Sequence, residues 1–150
     1  MVNPFDPKTV LFAKHAQHVV LVHFPIGLFL AAVGLDFVGH WMKKPVLAVV
    51  ARYDLLIAAV ATLPVMITGL LAWQWQLNGH KLKGILLQHL ALGVLSSCLI
   101  WLVWWIHFRA TRKREGSLPG YRLPIELAAI IVVAVTAHLG GFLSGVNVPG

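Results

Sequence analysis

Four apolar stretches, each close to the length of a membrane-spanning helix, leave this chain few folds to adopt. They run from about Val19 to Met42, Leu55 to Trp75, Gly84 to Phe108 and Leu123 to Leu143. A helix needs about 20 apolar residues to cross the hydrocarbon core, and each stretch supplies them. The expected fold is all-α: an integral membrane four-helix bundle forming a single four-span domain over residues 1–150. The second span has an amphipathic lead-in carrying Arg52 and Asp54. Pro25 and Pro64 lie within helical stretches and are expected to kink or end them locally. No internal repeat and no low-complexity segment stands out.

Composition excludes the soluble alternative. With 59% hydrophobic and 11% charged residues, a soluble domain would expose too much apolar surface to stay dispersed. The formal charge of +7 is no nucleic-acid signature, because the basic residues sit between apolar stretches, where they anchor and orient the chain. The one cysteine, Cys98, excludes a disulfide framework, a multi-thiolate metal site and a covalent CxxCH haem attachment. The opening MVNPFDPKTVLFAK lacks the basic, apolar and small-residue regions of a signal peptide, so the first span is expected to be retained.

Charge sets the expected orientation. The first and third connections, with their flanks, carry Lys43, Lys44, Arg52, Arg109, Arg112, Lys113, Arg114 and Arg122. The opposite side carries Lys8, Lys14, Lys81 and Lys83. The positive-inside rule then places both termini in the periplasm of a bacterial inner membrane. Trp73 and Trp75 mark the outer interface; Trp41, Trp104, Trp105 and Tyr121 mark the inner one.

Three histidines fall at matched depth in this frame: His23, His89 and His138. Each lies a little over one turn inside its span, roughly 6–8 Å below the outer surface. An ionisable side chain within a membrane is costly and marks a functional hypothesis. By helical spacing His23 lines up with Gly27, Ala31 and Gly34, His89 with Gly93, Ser96 and Ser97, and His138 with Gly141 and Gly145. Small residues beside a neutral imidazole suit a porphyrin slotted between helices. Lys14, Lys81 and Lys83 lie where haem propionates would emerge. The expected cofactor is haem b, one or two groups, with His23, His89 and His138 as candidate iron ligands and His18 as a fourth.

Other readings fit the same residues. Small residues at such spacing also pack membrane helices closely, and a histidine can simply bond a neighbouring helix. Three imidazoles suit zinc or copper, but no carboxylate lies at their depth. Asp36, Asp54 and Glu126 sit on the inner half, and no paired carboxylates share one depth. His18 points about 140° away from His23 on a straight helix. His80 reads as solvent-facing, and His40 and His107 as interface anchors. Asp36 reads as structural, reaching the interface or pairing with Arg52 or Arg109. Ser96, Ser97 and Cys98 pack or satisfy backbone carbonyls.

The run HVVLVHFPIGLFLAAVGLD resembles the opening of an uncharacterised bacterial membrane family, domain of unknown function 2231. The resemblance rests on His18, Val22, His23, Phe24, Pro25, Ile26 and Asp36, then on LPVMITGLLAW around Thr68, Gly69 and Trp73. His89 matches a histidine near the start of the family's third span. HLGGFLSGVNV resembles its glycine-rich ending through His138, Gly140, Gly141, Leu143, Gly145, Val146 and Val148. The chain departs from the family at Ala72, where Asp is usual, and in lacking a longer terminal spacer with Tyr and His. The resemblance implies a four-helix membrane protein, and some similar chains occur in respiratory or cytochrome-associated settings.

The expected function is a haem-binding electron-transfer subunit without catalytic activity of its own. Its partners would be other membrane subunits of a redox complex and a periplasmic cytochrome or quinol. The alternative is a cofactor-free accessory subunit packing against a larger complex. A small proton-carrying transporter using Asp36 and Glu126 is a third reading.

Overall fold

The computed structural model describes residues 16–76, 79, 81–112 and 118–145. It is all-helical: α1 (Ala16–Trp41), α2 (Pro45–Gln76), α3 (Gly84–Arg112) and α4 (Arg122–Leu143). All four are long and apolar enough to cross a membrane. α1 and α3 run from the end bearing both termini, here the terminal end, towards the end bearing the α1–α2 and α3–α4 connections. The latter holds Lys43, Lys44, Arg109 and Arg112 and is called the basic end.

The lead-in to the second span belongs to the same helix, because Pro45 opens α2 and no break follows. A proline at the first helical position has its φ already set and loses no hydrogen bond. At 32 residues α2 is about 48 Å long, so it outreaches the ~30 Å hydrocarbon layer. Pro25 and Pro64 do not end their helices; α1 and α2 run through both. The α1–α2 connection is a tight turn. Lys43 takes a positive φ of 54°, and Lys44 N–H donates to the Gly39 carbonyl at 2.9 Å. Glycine at 39 brings the two helices close, since a Cβ there would lie 3.0 Å from Leu47 Cβ. α4 starts after the Pro119–Gly120–Tyr121 turn and ends at Leu143, with Gly145 just beyond it in the left-handed region at a φ of 78°.

α1 packs along α2, α3 along α4, and α2 on α3. The core is thin and rich in small residues: Ala32, Ala51, Ala58, Ala59 and Ala129 surround Phe29, Leu55, Ile100, Val103 and Val133. Small side chains let membrane helices approach closely. Large apolar side chains such as Phe24, Ile57, Ile67, Leu127 and Ile131 point outward on every side. Apolar surface of that kind is suited to lipid rather than water.

The two hairpins repeat each other, which the sequence reading does not detect. Buried positions recur 71 residues on. Pro25, Phe29, Ala32, Asp36 and Gly39 of α1 correspond to Ser96, Ile100, Val103, His107 and Ala110 of α3, all buried. Ala51, Leu55, Ala58 and Thr62 of α2 correspond to Arg122, Glu126, Ala129 and Val133 of α4, again all buried. The two hairpins share one direction, α1 with α3 and α2 with α4, so the shared burial pattern runs the same way along both. Few identities accompany it, and the corresponding buried residues differ in type. The Gln17–His18 and Gln88–His89 dipeptides are one visible trace, each followed at equal distance by Gly69 or Gly140.

Candidate functional site

Two polar layers interrupt the apolar bundle, one near each end, and each brings together residues 71 positions apart, His18 with His89 and Asp36 with His107. The layer at the terminal end is a histidine pair. His18 stands near the start of α1 and donates from Nδ1 to the Val65 carbonyl of α2 at 3.1 Å, with Thr68 Oγ1 at 3.4 Å. His89 of α3 donates from Nδ1 to the Thr136 carbonyl of α4 at 3.0 Å. Val65 and Thr136 are themselves repeat equivalents. Thr136 Oγ1 donates back to the Val132 carbonyl at 2.7 Å and meets Ser96 Oγ at 2.9 Å, which pins the helix face behind His89.

Each ring lies over a glycine. A Cβ on Gly69 would sit 2.9 Å from His18 Cε1, and one on Gly140 would sit 3.0 Å from His89 Cε1. Any side chain at either position would push the imidazole away. The two rings face each other edge to face, with centroids 6.5 Å apart and planes at 84°. A neutral imidazole that donates from Nδ1 carries its basic lone pair on Nε2.

The expected trio does not assemble. Among the described residues, His23, His89 and His138 form no cluster with ligand atoms in mutual reach. His23 is exposed and donates from Nδ1 to the Val19 carbonyl of its own helix at 2.7 Å. Its companions Gly27, Ala31 and Gly34 are exposed too, so that small-residue stripe faces out of the bundle. His138 is exposed and rests edge-on against Phe142, centroids 5.0 Å apart. The inward stripe of α1 is instead half-buried His18 followed by buried Pro25, Phe29, Ala32 and Asp36, and that of α3 is half-buried His89 followed by buried Ser96, Ile100, Val103 and His107. These share one spacing of seven, four, three and four residues, a seam that stays on one helix face. Depth alone placed His23; the direction of its face excludes it from the bundle interior. His40 is exposed near the basic end. His15, His80, Lys14 and the tail from Val146 lie outside the described residues.

The second layer lies near the basic end and corrects three expectations. Asp36 pairs with Arg122, Nε to Oδ2 at 2.7 Å, rather than with Arg52 or Arg109. Arg52 is held over the Tyr53 ring, and Arg109 is exposed. His107 is no interface anchor: it is buried, with Nε2 2.8 Å from Glu126 Oε1. Asp36 and Glu126 do share one depth, since one ligand atom each from Asp36, His107 and Glu126 falls within 4.8 Å of the others. Arg122 closes the layer towards the basic end, its Nη1 donating to the Pro119 carbonyl at 3.2 Å and the Leu118 carbonyl at 3.4 Å. Between the layers, Trp101 Nε1 donates to Thr62 Oγ1 at 3.3 Å and ties α3 to α2.

Sequence reasoning missed the Arg122–Asp36 and His107–Glu126 pairs because their members lie 86 and 19 residues apart on different helices. A signal was nevertheless present. His107 continues the seam from His89, and Arg122 and Glu126 stand one turn apart, so both polar faces were predictable once the seam was drawn.

No curated protein and no solved structure is detectably similar to the chain. A family of predicted membrane proteins matches it over residues 14–147, a range that takes in all four helices and both polar layers. The chain belongs to that family, described as predicted membrane protein (DUF2231).

Proposed function

We propose that this membrane protein is an electron-transfer subunit that would hold a b-type haem, with His18 and His89 as the residues that bind it. The observation that carries the reading is the geometry of that pair. Neutral imidazole is a common ligand of haem iron, and here two imidazoles from different hairpins stand together inside the bundle. The His18–His89 centroid distance is 6.5 Å. Both rings are oriented by Nδ1–H bonds to main-chain carbonyls, as metal-ligating histidines commonly are. Gly69 and Gly140 keep the space around the rings clear of side chains.

The haem, when bound, supplies a one-electron couple. The chain supplies two oriented imidazoles and apolar walls. Exposed Lys81 and Lys83, at the terminal end, supply positive charge for the propionates. The protein lies in a bacterial inner membrane with both termini in the periplasm, an orientation supported by the excess of Lys and Arg at the basic end. Its partners are a periplasmic cytochrome or a quinol and the membrane subunits of a larger redox complex. His23 and His138, on outward faces, serve in this reading as interfacial side chains rather than ligands.

An optical spectrum of the purified protein, oxidised and then reduced, tests this. A low-spin b-type spectrum is expected, with His18→Ala and His89→Ala each lowering haem content or turning the spectrum high-spin. His23→Ala and His138→Ala should leave it unchanged. No Soret absorption in the wild-type protein, even after incubation with haem, would leave the histidine–glycine contacts as helix packing and favour the cofactor-free accessory subunit.

A further inference from the structure

We propose that the cluster near the basic end is a proton-exchange site, in which His107 and Glu126 together take up and release one proton while Asp36 and Arg122 hold fixed opposite charges. The proposal stands apart from the haem reading, since it uses other residues in the other polar layer.

The first observation is the composition of the cluster. Asp36, His107 and Glu126 are each 1% exposed, and Arg122 is 2% exposed. With both carboxylates ionised, the guanidinium charged and the imidazole neutral, the group carries one net negative charge. Buried net charge in an apolar medium is costly. One proton removes it: imidazolium faces carboxylate at 2.8 Å, guanidinium faces carboxylate at 2.7 Å, and the cluster is neutral.

The second observation is spare bonding capacity. Asp36 Oδ1, His107 Nδ1 and Glu126 Oε2 are buried and have no hydrogen-bond partner among the described residues. Buried polar atoms are nearly always paired, so three in one cluster call for an explanation. A proton on His107 Nδ1 or Glu126 Oε2 turns one of these buried acceptors into a donor. The exchanged proton comes from, and returns to, water at the basic end, and no other bond is made or broken.

The charged surroundings are few. α1 contributes Asp36, with His40 exposed one turn further on. α3 contributes His107, with Arg109 exposed, and α4 contributes Arg122 and Glu126. α2 buries Ala51 and Leu55, the repeat equivalents of Arg122 and Glu126, while its Arg52 and Asp54 are only partly buried.

The same three ligand types suit a divalent cation, but the charges favour a proton. A guanidinium already occupies Asp36 Oδ2, and a divalent ion would leave the buried group with a net positive charge.

The chain has two glutamates, Glu115 and Glu126, which makes the test direct. The Glu115→Gln protein, grown with carbon-13-labelled glutamate and held in lipid nanodiscs, reports Glu126 alone in the infrared and leaves the four cluster residues in place. Stepping from acid to alkaline pH should shift the labelled carboxyl bands in a single one-proton transition. His107→Gln should abolish or displace that transition, and His18→Ala should leave it in place whether or not haem binds. Labelled bands that do not change with pH in the folded protein would overturn the proposal. So would stoichiometric binding of manganese or zinc that is lost in Asp36→Asn and Glu126→Gln, which would make the cluster a metal site.

Discussion

Single atoms decide what the two polar layers tolerate. At Gly69 and Gly140 the missing Cβ is the contact: one would fall 2.9 Å and the other 3.0 Å from a histidine ring carbon. Gly69→Ala and Gly140→Ala should each destabilise the protein by about 1–3 kcal/mol, the usual cost of overpacking. Gly27→Ala and Gly34→Ala meet nothing within 4 Å and should fall within about 0.5 kcal/mol of wild type. Denaturant or thermal unfolding in one detergent checks all four, and equal effects at the four sites would refute the close approach. Arg122 presents the opposite case, a group whose removal leaves a cost behind. Arg122→Gln strands the Asp36 carboxylate in the bundle and should cost about 3–5 kcal/mol. Adding Asp36→Asn should recover much of that loss, because the stranded charge goes with it. An additive double variant would mean that the pair is not coupled.

Elements are set by local rules that the sequence states openly, and by a few that it hides. Apolar length marks α1 to α4, and the fourth helix ends at Leu143 as read from sequence. The start of α2 was hidden because a charged, amphipathic turn before Leu55 reads as a lead-in. Pro45 and the short turn before it make that segment the first turns of one long helix. Lys43 holds the turn at a positive φ of 54°, which costs an L-residue roughly 1–2 kcal/mol. Lys43→Gly should therefore stabilise the protein by up to about 1 kcal/mol in the same unfolding assay. Gly39→Val should destabilise it, since its Cβ meets Leu47 Cβ at 3.0 Å and the Lys44 carbonyl at 3.2 Å. A stable Gly39→Val protein would show that α1 and α2 need not meet so closely.

At the scale of the whole molecule, the bundle is two helical hairpins whose buried positions recur 71 residues apart, with one polar layer near each end. The basic residues gather at one end, so the orientation is testable with two exposed sites. A cysteine at Lys83 should react with an impermeant reagent in intact cells, and one at Lys44 should react only after lysis. The reverse pattern would turn the histidine pair towards the cytoplasm. Composition and apolar length alone determined that the chain is a four-helix membrane protein, because hydrophobic transfer depends on residue type and run length rather than on partners. Depth along each helix was also readable, since the rise per residue is constant. Only the tertiary structure decided which face of each helix points inward, and with it that His18 rather than His23 meets His89. It alone brought Asp36 to Arg122 and His107 to Glu126. A span that is apolar all round carries almost no amphipathic signal, so the inward face is chosen by close packing of small residues against neighbours far away in the chain.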